Sequence, residues 1–253
     1  MKIDNDWWRD FFDGLAVEFW LLMTPESATL EEADFIERML RVPKGALLLD
    51  VPCGGGRHAV ALASRGYHVT GVDISPAFLG AAQSLARERE QAVTWREQPM
   101  HEVTGQFDGA YCFGNSFGYY DDAGNFSFLK AVHSALRAGG RFILDTSAIA
   151  ECIFPTYQER AWMPVGDILF LTERTYDPLT SHLQTRYTFI RDLEVEKRTA
   201  WLRVYTAREL VSLLRSAGFE EIETYGTPAA GPFGLGARRL LLVATRGEIP
   251  AHQ

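Results

Sequence analysis

The residues with the greatest chemical reach lie in one short stretch. Residues 49–56 read Leu49-Asp50-Val51-Pro52-Cys53-Gly54-Gly55-Gly56, an apolar run that stops at an acid and then enters three glycines. Glycine tolerates positive φ and lets a ligand lie directly on the backbone. A glycine loop between a buried strand and a helix also offers helix N-terminal N–H groups to a bound molecule. About one strand later, Val72-Asp73-Ile74-Ser75 ends a second apolar run with an acid. From there a carboxylate accepts hydrogen bonds from ribose hydroxyls. Strand, glycine loop, helix, strand and acid, in that order, point to an adenosine-type cofactor.

Two ligand classes compete for this loop. Gly54-x-Gly56-x-x-Ala59 satisfies the GxGxxG/A dinucleotide pattern. Asp50 argues against a pyrophosphate, because its carboxylate stands four residues before Gly54 and would repel one. A ligand with an ammonium and a sulfonium, such as S-adenosylmethionine, suits that acid. An NAD-type oxidoreductase and a catalytically inactive cofactor-binding protein are the alternatives.

Asp50-x-x-x-Gly54-x-Gly56 followed by Asp73 resembles the nucleotide loop of class I S-adenosylmethionine-dependent methyltransferases of the small-molecule type. Phe107-Asp108-Gly109-Ala110 resembles the usual opening of that family's fourth strand, and residues 112–119 resemble the loop after it. The chain from Arg203 to Ala244 resembles its closing helix and hairpin. The resemblance covers about residues 30–247. It implies methyl transfer by in-line displacement to a nitrogen or oxygen of a small molecule, with S-adenosyl-L-methionine as cofactor and S-adenosyl-L-homocysteine as product.

The same resemblance implies site residues. Asp50 serves the methionine end of the cofactor, directly or by orienting the loop. Gly54 and Gly56 allow close backbone approach, and Asp73 with Ile74 meets the ribose side. Arg57 bonds the cofactor carboxylate or lies on a solvated face; His58 is structural. Phe113 and Gly114 offer backbone to the ammonium. Asn115, Tyr119 and Tyr120 follow on a loop facing the transferable methyl and are the catalytic or substrate-pocket candidates, the tyrosines or a flap histidine being general-base candidates for a hydroxyl acceptor. Two positions depart from the family pattern: Pro52 replaces the first loop glycine, and Pro99 stands where an adenine-binding acid is usual, leaving Gln98 or the Met100 backbone N–H for that contact.

These side chains need a frame. Apolar residues at helical spacing predict a helix over residues 6–23, and Thr29-Leu30-Glu31-Glu32 reads as the capping box of a second. Short apolar runs at 46–51, 68–72, 93–97, 107–113 and 141–146 alternate with helices at 57–65, 76–90 and 125–137. That alternation predicts an α/β, Rossmann-like, mostly parallel seven-stranded sheet with helices on both faces. Residues 151–205, rich in Thr, Tyr, Phe, Ile and Arg, break it and read as an antiparallel β flap of about three strands inserted after the fifth strand. Thr206-Ala207-Arg208-Glu209 is another capping box, and strands at 221–225 and 240–245 close the sheet. The expected organisation is a single domain over 1–253: a helical cover (1–42), a cofactor-binding core (43–150), the flap (151–205) and a closing helix and hairpin (206–247). Trp7, Trp8, Phe12, Phe19 and Trp20 suggest a cover over something apolar, and His182, Arg203 and Tyr205 lie in or beside the flap.

Composition narrows the partners. The chain has 253 residues, 47% hydrophobic and 23% charged, with a formal net charge of −8. No basic stripe marks it for nucleic acid. No apolar run reaches the length of a membrane span, and the early acids do not fit a signal peptide. Cys53, Cys112 and Cys152 have no metal-ligand spacing and read as reduced thiols of a cytoplasmic protein. A small-molecule methyl acceptor is the expected partner; the sequence sets no oligomeric state.

Overall fold

Each apolar run becomes a strand because helices and glycine turns bound it on both sides. The computed structural model describes residues 3–247; residues 1–2 and 248–253 of the expected 1–253 span, and with them the extreme N-terminus read above, lie outside the described residues. The chain opens with helices α1 (Trp8–Phe11), α2 (Gly14–Met23) and α3 (Glu26–Leu40). Then follow β1 (Leu47–Asp50), α4 (Arg57–Ala63), β2 (His68–Asp73), α5 (Pro76–Glu88), β3 (Thr94–Glu97), β4 (Phe107–Cys112), α6 (Asp122–Ala135) and β5 (Leu136–Thr146). A short helix α7 (Ala150–Ile153) leads to β6 (Arg160–Val165), β7 (Ile168–Asp177), β8 (His182–Arg191) and β9 (Glu194–Arg203). Helix α8 (Ala207–Ser216), β10 (Phe219–Tyr225) and β11 (Leu240–Arg246) complete the fold.

The main sheet runs β10-β11-β5-β4-β1-β2-β3, parallel except for β11, which is antiparallel to both neighbours. Successive side chains point to opposite faces of a strand, so each strand feeds two cores. Leu49, Phe142 and Leu242 join one with α6 and α8; Leu48, Ile143 and Leu241 join the other with α3 and α4. The order reverses between β1 and β4, opening a crevice at their carboxyl ends. The expected fold class is the one observed.

Four local expectations are corrected. The helix over 6–23 is two helices, because Asp13 turns extended and its side chain accepts the Gly14 N–H. The second helix begins at Glu26 behind Pro25, so Thr29 and Glu32 sit inside it, buried, and form no capping box. The flap has four strands, not three, in the order β6-β7-β8-β9. Strand β6 was hidden by Pro164 and by Trp162 and Met163, which are exposed rather than alternating; an edge strand tolerates proline. Helix α6 starts three residues before Asn125, capped by Asp121, and Asn125 is buried, its Nδ2 donating to Tyr120 O and to the Tyr205 hydroxyl.

Aromatic pairs fasten the first two helices to the flap and to the loop after β4. Phe19 stacks on Phe170 at 4.1 Å, Phe11 meets Tyr187 edge-on at 5.3 Å, and Trp7 meets Tyr119 at 4.8 Å. Each such pair contributes about 0.5–1.5 kcal/mol beyond its buried area.

Candidate active site

A cavity of about 1420 Å³ lies between the carboxyl edge of the sheet, the N-terminal helices and the inner face of the flap. Its floor is the glycine loop. Cys53 N–H donates to Val72 O at 2.8 Å, tying the loop to β2. Gly54 N–H donates to Asp73 Oδ2 at 2.8 Å and Ser75 N–H to Asp73 Oδ1 at 2.9 Å. Burial pushes the Asp73 carboxyl up, and the backbone N–H groups of Ser75 and Gly54 oppose that shift. Each carboxylate oxygen keeps a second lone pair for a ligand hydroxyl, and Asp73 and Ile74 both line the cavity.

The three glycines answer to three different neighbours. Gly54, at φ +50°, would point a side chain into open space beside the cavity. Gly55 makes room for Leu21 of α2. Gly56, at φ +74°, makes room for Trp95 and Ala82 and does not line the cavity. On this side the backbone is packed against the Trp95 ring.

Asp50 lies deeper. It is 1% exposed, lies off the cavity wall, and its Oδ2 has no hydrogen-bond partner. Burial pushes its carboxyl well above the usual range, with Arg57 opposing. This placement behind the loop agrees with the loop-orienting alternative.

Beside the loop stands a buried charge cluster. Arg57 Nη1 meets Glu32 Oε2 at 2.6 Å and donates to Thr29 Oγ1 at 3.1 Å. His58 Nε2 lies 2.9 Å from the same Glu32 oxygen. Arg239 Nη1 bonds Glu32 Oε1 at 2.5 Å, while its Nε and Nη2 grip Asp145 at 2.8 and 2.5 Å. Asp145 Oδ2 also accepts Gly114 N–H at 3.1 Å. Burial raises the Glu32 carboxyl, but the His58 hydrogen bond and the surrounding cations outweigh it and hold it far below the usual value. Burial lowers His58 to about 4, so the imidazole is neutral at pH 7. Arg57 lines the cavity, yet its Nη1 is committed to Glu32 and Thr29.

Sequence reasoning missed Glu32, Asp145 and Arg239. One signal was present: Leu49-Asp50, Val72-Asp73 and Leu144-Asp145 each put an acid at the carboxyl end of a strand.

The loop after β4 forms the next wall. Phe113, Gly114, Tyr119 and Tyr120 line the cavity, joined by Met100 from the turn after β3. Asn115 lines it too, but its Oδ1 accepts from Thr146 Oγ1, Ser147 N–H and Ala148 N–H at 3.1, 2.8 and 2.9 Å. These bonds make Asn115 a staple between this loop and the end of β5. Burial pushes both tyrosine hydroxyls far up, so neither serves as a base near neutral pH. Away from the cavity wall, His182 faces Thr180 O, Arg203 pairs with Asp122 and Glu209, and Tyr205 donates to Asp122.

The flap supplies the outer chamber. Phe170, Tyr187, Leu183, Thr185, Ala200 and Leu202 line it, facing Phe11, Phe12 and Trp20 of the cover. Among the described residues, no cluster of His, Cys, Asp and Glu has the arrangement of a metal site, and no helix is long and apolar enough to cross a membrane.

Residues 48–140 match the family described as "Methyltransferase domain". A ubiquinone biosynthesis O-methyltransferase of Pseudomonas paraeruginosa is 38% identical over 106 residues, 40% of this chain and 44% of that protein. The chain thus spans less than half the length of such curated relatives. A glycine/sarcosine N-methyltransferase of Aphanothece halophytica is 23% identical over 239 residues, 88% of this chain and 85% of that one. In overall structure the chain is similar to a S-adenosylmethionine-dependent methyltransferase from Clostridium acetobutylicum, with a TM-score of 0.77, 18% identity, and coverage of 86% of this chain and 91% of that chain.

Proposed function

We propose that this chain, built on the class I methyltransferase fold with a methyltransferase domain at residues 48–140, transfers a methyl group from S-adenosyl-L-methionine to a nitrogen or oxygen of a small molecule. One observation carries the reading. Gly54 leaves an open cradle at φ +50°, and its N–H is held by Asp73, whose carboxylate lines the cavity at the end of β2. These residues fit an adenosine with a ribose diol. Asp73 would accept the ribose hydroxyls, Ile74, Phe78 and Met100 would pack the adenine, and Phe113 and Gly114 would face the amino-acid end.

When bound, the cofactor supplies a methyl group already activated on a positively charged sulfur. The chain's own task is to hold the acceptor in line and keep water out, and orientation of this kind supplies up to about 7–11 kcal/mol of barrier reduction. The aromatic fastening of the N-terminal helices over the cavity serves both ends. Among the described residues beside the loop, Tyr119 and Tyr120 are raised by burial, His58 is committed to Glu32 and Asp73 to backbone N–H groups. An acceptor that enters as a neutral amine, or already ionised, suits this wall best.

Thermal unfolding with S-adenosylhomocysteine, and separately with NADH, tests the reading. A ligand at about 100 times its Kd adds roughly 2.7 kcal/mol, which for a chain of this size is on the order of 5–10 °C. The expected result is a shift of that order with S-adenosylhomocysteine, lost in Asp73→Ala. A shift with NADH alone would overturn the proposal.

A further inference from the structure

The inner face of the flap is almost free of unbalanced charge. Strand register puts Phe170, Thr172, Arg174 and Tyr176 on one face of β7, opposite Phe189, Tyr187, Thr185 and Leu183 of β8. Thr185 in turn lies opposite Ala200 of β9. The other charges of this face are matched: Glu196 with Arg198 at 2.9 Å, and Arg191 with Glu18 and Glu194. Arg174 differs. Its backbone is fixed, with its N–H donating to Glu159 O and its carbonyl accepting from Tyr157 Oη. The residue lines the cavity and, among the described residues, its guanidinium has no ion pair and no side-chain hydrogen bond.

Its surroundings are apolar or weakly polar: Leu183, Thr185, Tyr187, Ala200 and Met163 share the cavity wall with it. The chain carries a net charge of −8, so a cation left unmatched in a cavity goes against the general balance. Arg239 and Arg57, which also line the cavity, already have carboxylates: Arg239 holds Asp145 and Glu32, and Arg57 holds Glu32, while Arg238 on the lining is exposed to solvent. A guanidinium presents a planar fork of donors that matches a carboxylate or phosphate. In a chamber walled by aromatic rings it has no competing partner.

We propose that Arg174 is a specificity-determining residue and that the acceptor is an aromatic or otherwise apolar small molecule carrying an anionic group, which Arg174 binds while the apolar body packs between Phe170, Tyr187 and the cover helices. This rests on the methyltransferase reading and adds the chemical class of the acceptor. It separates the flap's task from that of the glycine loop: the flap reads charge on the acceptor, and the loop holds the cofactor.

Calorimetric titration tests it. The probes are benzoate, 2-naphthoate and phenyl phosphate, each against an uncharged counterpart (benzamide, 2-naphthamide, benzyl alcohol), with the protein saturated in S-adenosylhomocysteine. At least one anion is expected to bind ten-fold or more tightly than its counterpart. Arg174→Gln should erase that preference and leave S-adenosylhomocysteine affinity unchanged, and Arg174→Lys should restore part of it. Equal binding of every anion and its counterpart, or a preference that survives in Arg174→Gln, would overturn the proposal. If S-adenosylhomocysteine itself does not bind, the methyltransferase reading fails; the same pairs titrated without it still decide the role of Arg174.

Discussion

The crevice at the end of the parallel sheet and the chamber under the flap share one cavity but are built on opposite terms. In the crevice the charges that line the cavity beside the glycine loop are engaged. Asp73 is held by two backbone N–H groups, and Glu32 and Asp145 are matched by Arg57 and Arg239, with the neutral His58 bonded to Glu32, across four separate stretches of chain. In the chamber the walls are aromatic and aliphatic, and Arg174 on the lining has, among the described residues, no carboxylate paired with it. A region whose lining charges are held in this way is rigid and suits a ligand of constant shape. A region with apolar walls and an unmatched charge tolerates change, as a site for a variable acceptor must.

The sharpest way to break this contrast is to remove one cation from each region. Arg239→Leu strands Asp145 and Glu32 in a buried setting, and loss of one partner from a buried pair costs about 3–5 kcal/mol. The midpoint of thermal unfolding should drop by roughly 10 °C or more. Arg174→Gln, having no partner to strand, should stay within about 0.5 kcal/mol of the parent. Equal losses at the two sites would dissolve the distinction between the engaged charges of the crevice and the open chamber.

The glycine loop offers a second cut. Gly56→Ala forces a side chain into φ +74° and against Trp95 and Ala82. Strain and overpacking together should cost about 3 kcal/mol, read by denaturant titration. Gly55→Ala meets only the tip of Leu21, which can swing aside, so it should remain near the parent. A mild Gly56 variant would mean that the loop is not set by packing from beneath.

The smallest expected effect concerns acid. His58 has an ordinary value of 6.5 and a folded value of about 4. The unfolded chain thus takes up a proton that the buried imidazole refuses. The stability this represents is complete above pH 6.5 and is lost as the pH falls toward 4. From pH 7 to 5 the loss is roughly 2 kcal/mol, taking about 1.4 kcal/mol per unit. His58→Gln should flatten that part of the stability profile. Glu32, held below its ordinary 4.5, adds its own loss only under more acidic conditions.

The two regions also differed in how far the sequence disclosed them. The βα alternation was legible because apolar runs, glycine turns and the Ser75-Pro76 start punctuate it locally. The acids ending β1 and β2 were legible for the same reason, although their burial was not. Glu32 was misread because Thr29-x-x-Glu32 has the form of a capping box, while Pro25 had already started the helix. Its true partners, His58 and Arg239, lie 26 and 207 residues away, and no local pattern reports such a pairing. The inner face of the flap was hidden in a similar way. Alternation marks two faces of β8, but only the docking of Phe11 and Phe19 decides which one is covered.

The position of β11 has a consequence for the making of the protein. Its seven residues, Leu240–Arg246, fill the gap between β10 and β5. On the ribosome, β5 emerges nearly a hundred residues earlier. At roughly 5–20 residues per second, its edge from Arg141 to Thr146 waits on the order of 5–20 s for its neighbour. During that interval the flap strands, each paired to the next in sequence, can complete their own sheet. The nascent chain therefore carries a finished flap beside an open, apolar strand edge, and that edge is where a holding chaperone would act and where crowding of nascent chains would first be felt.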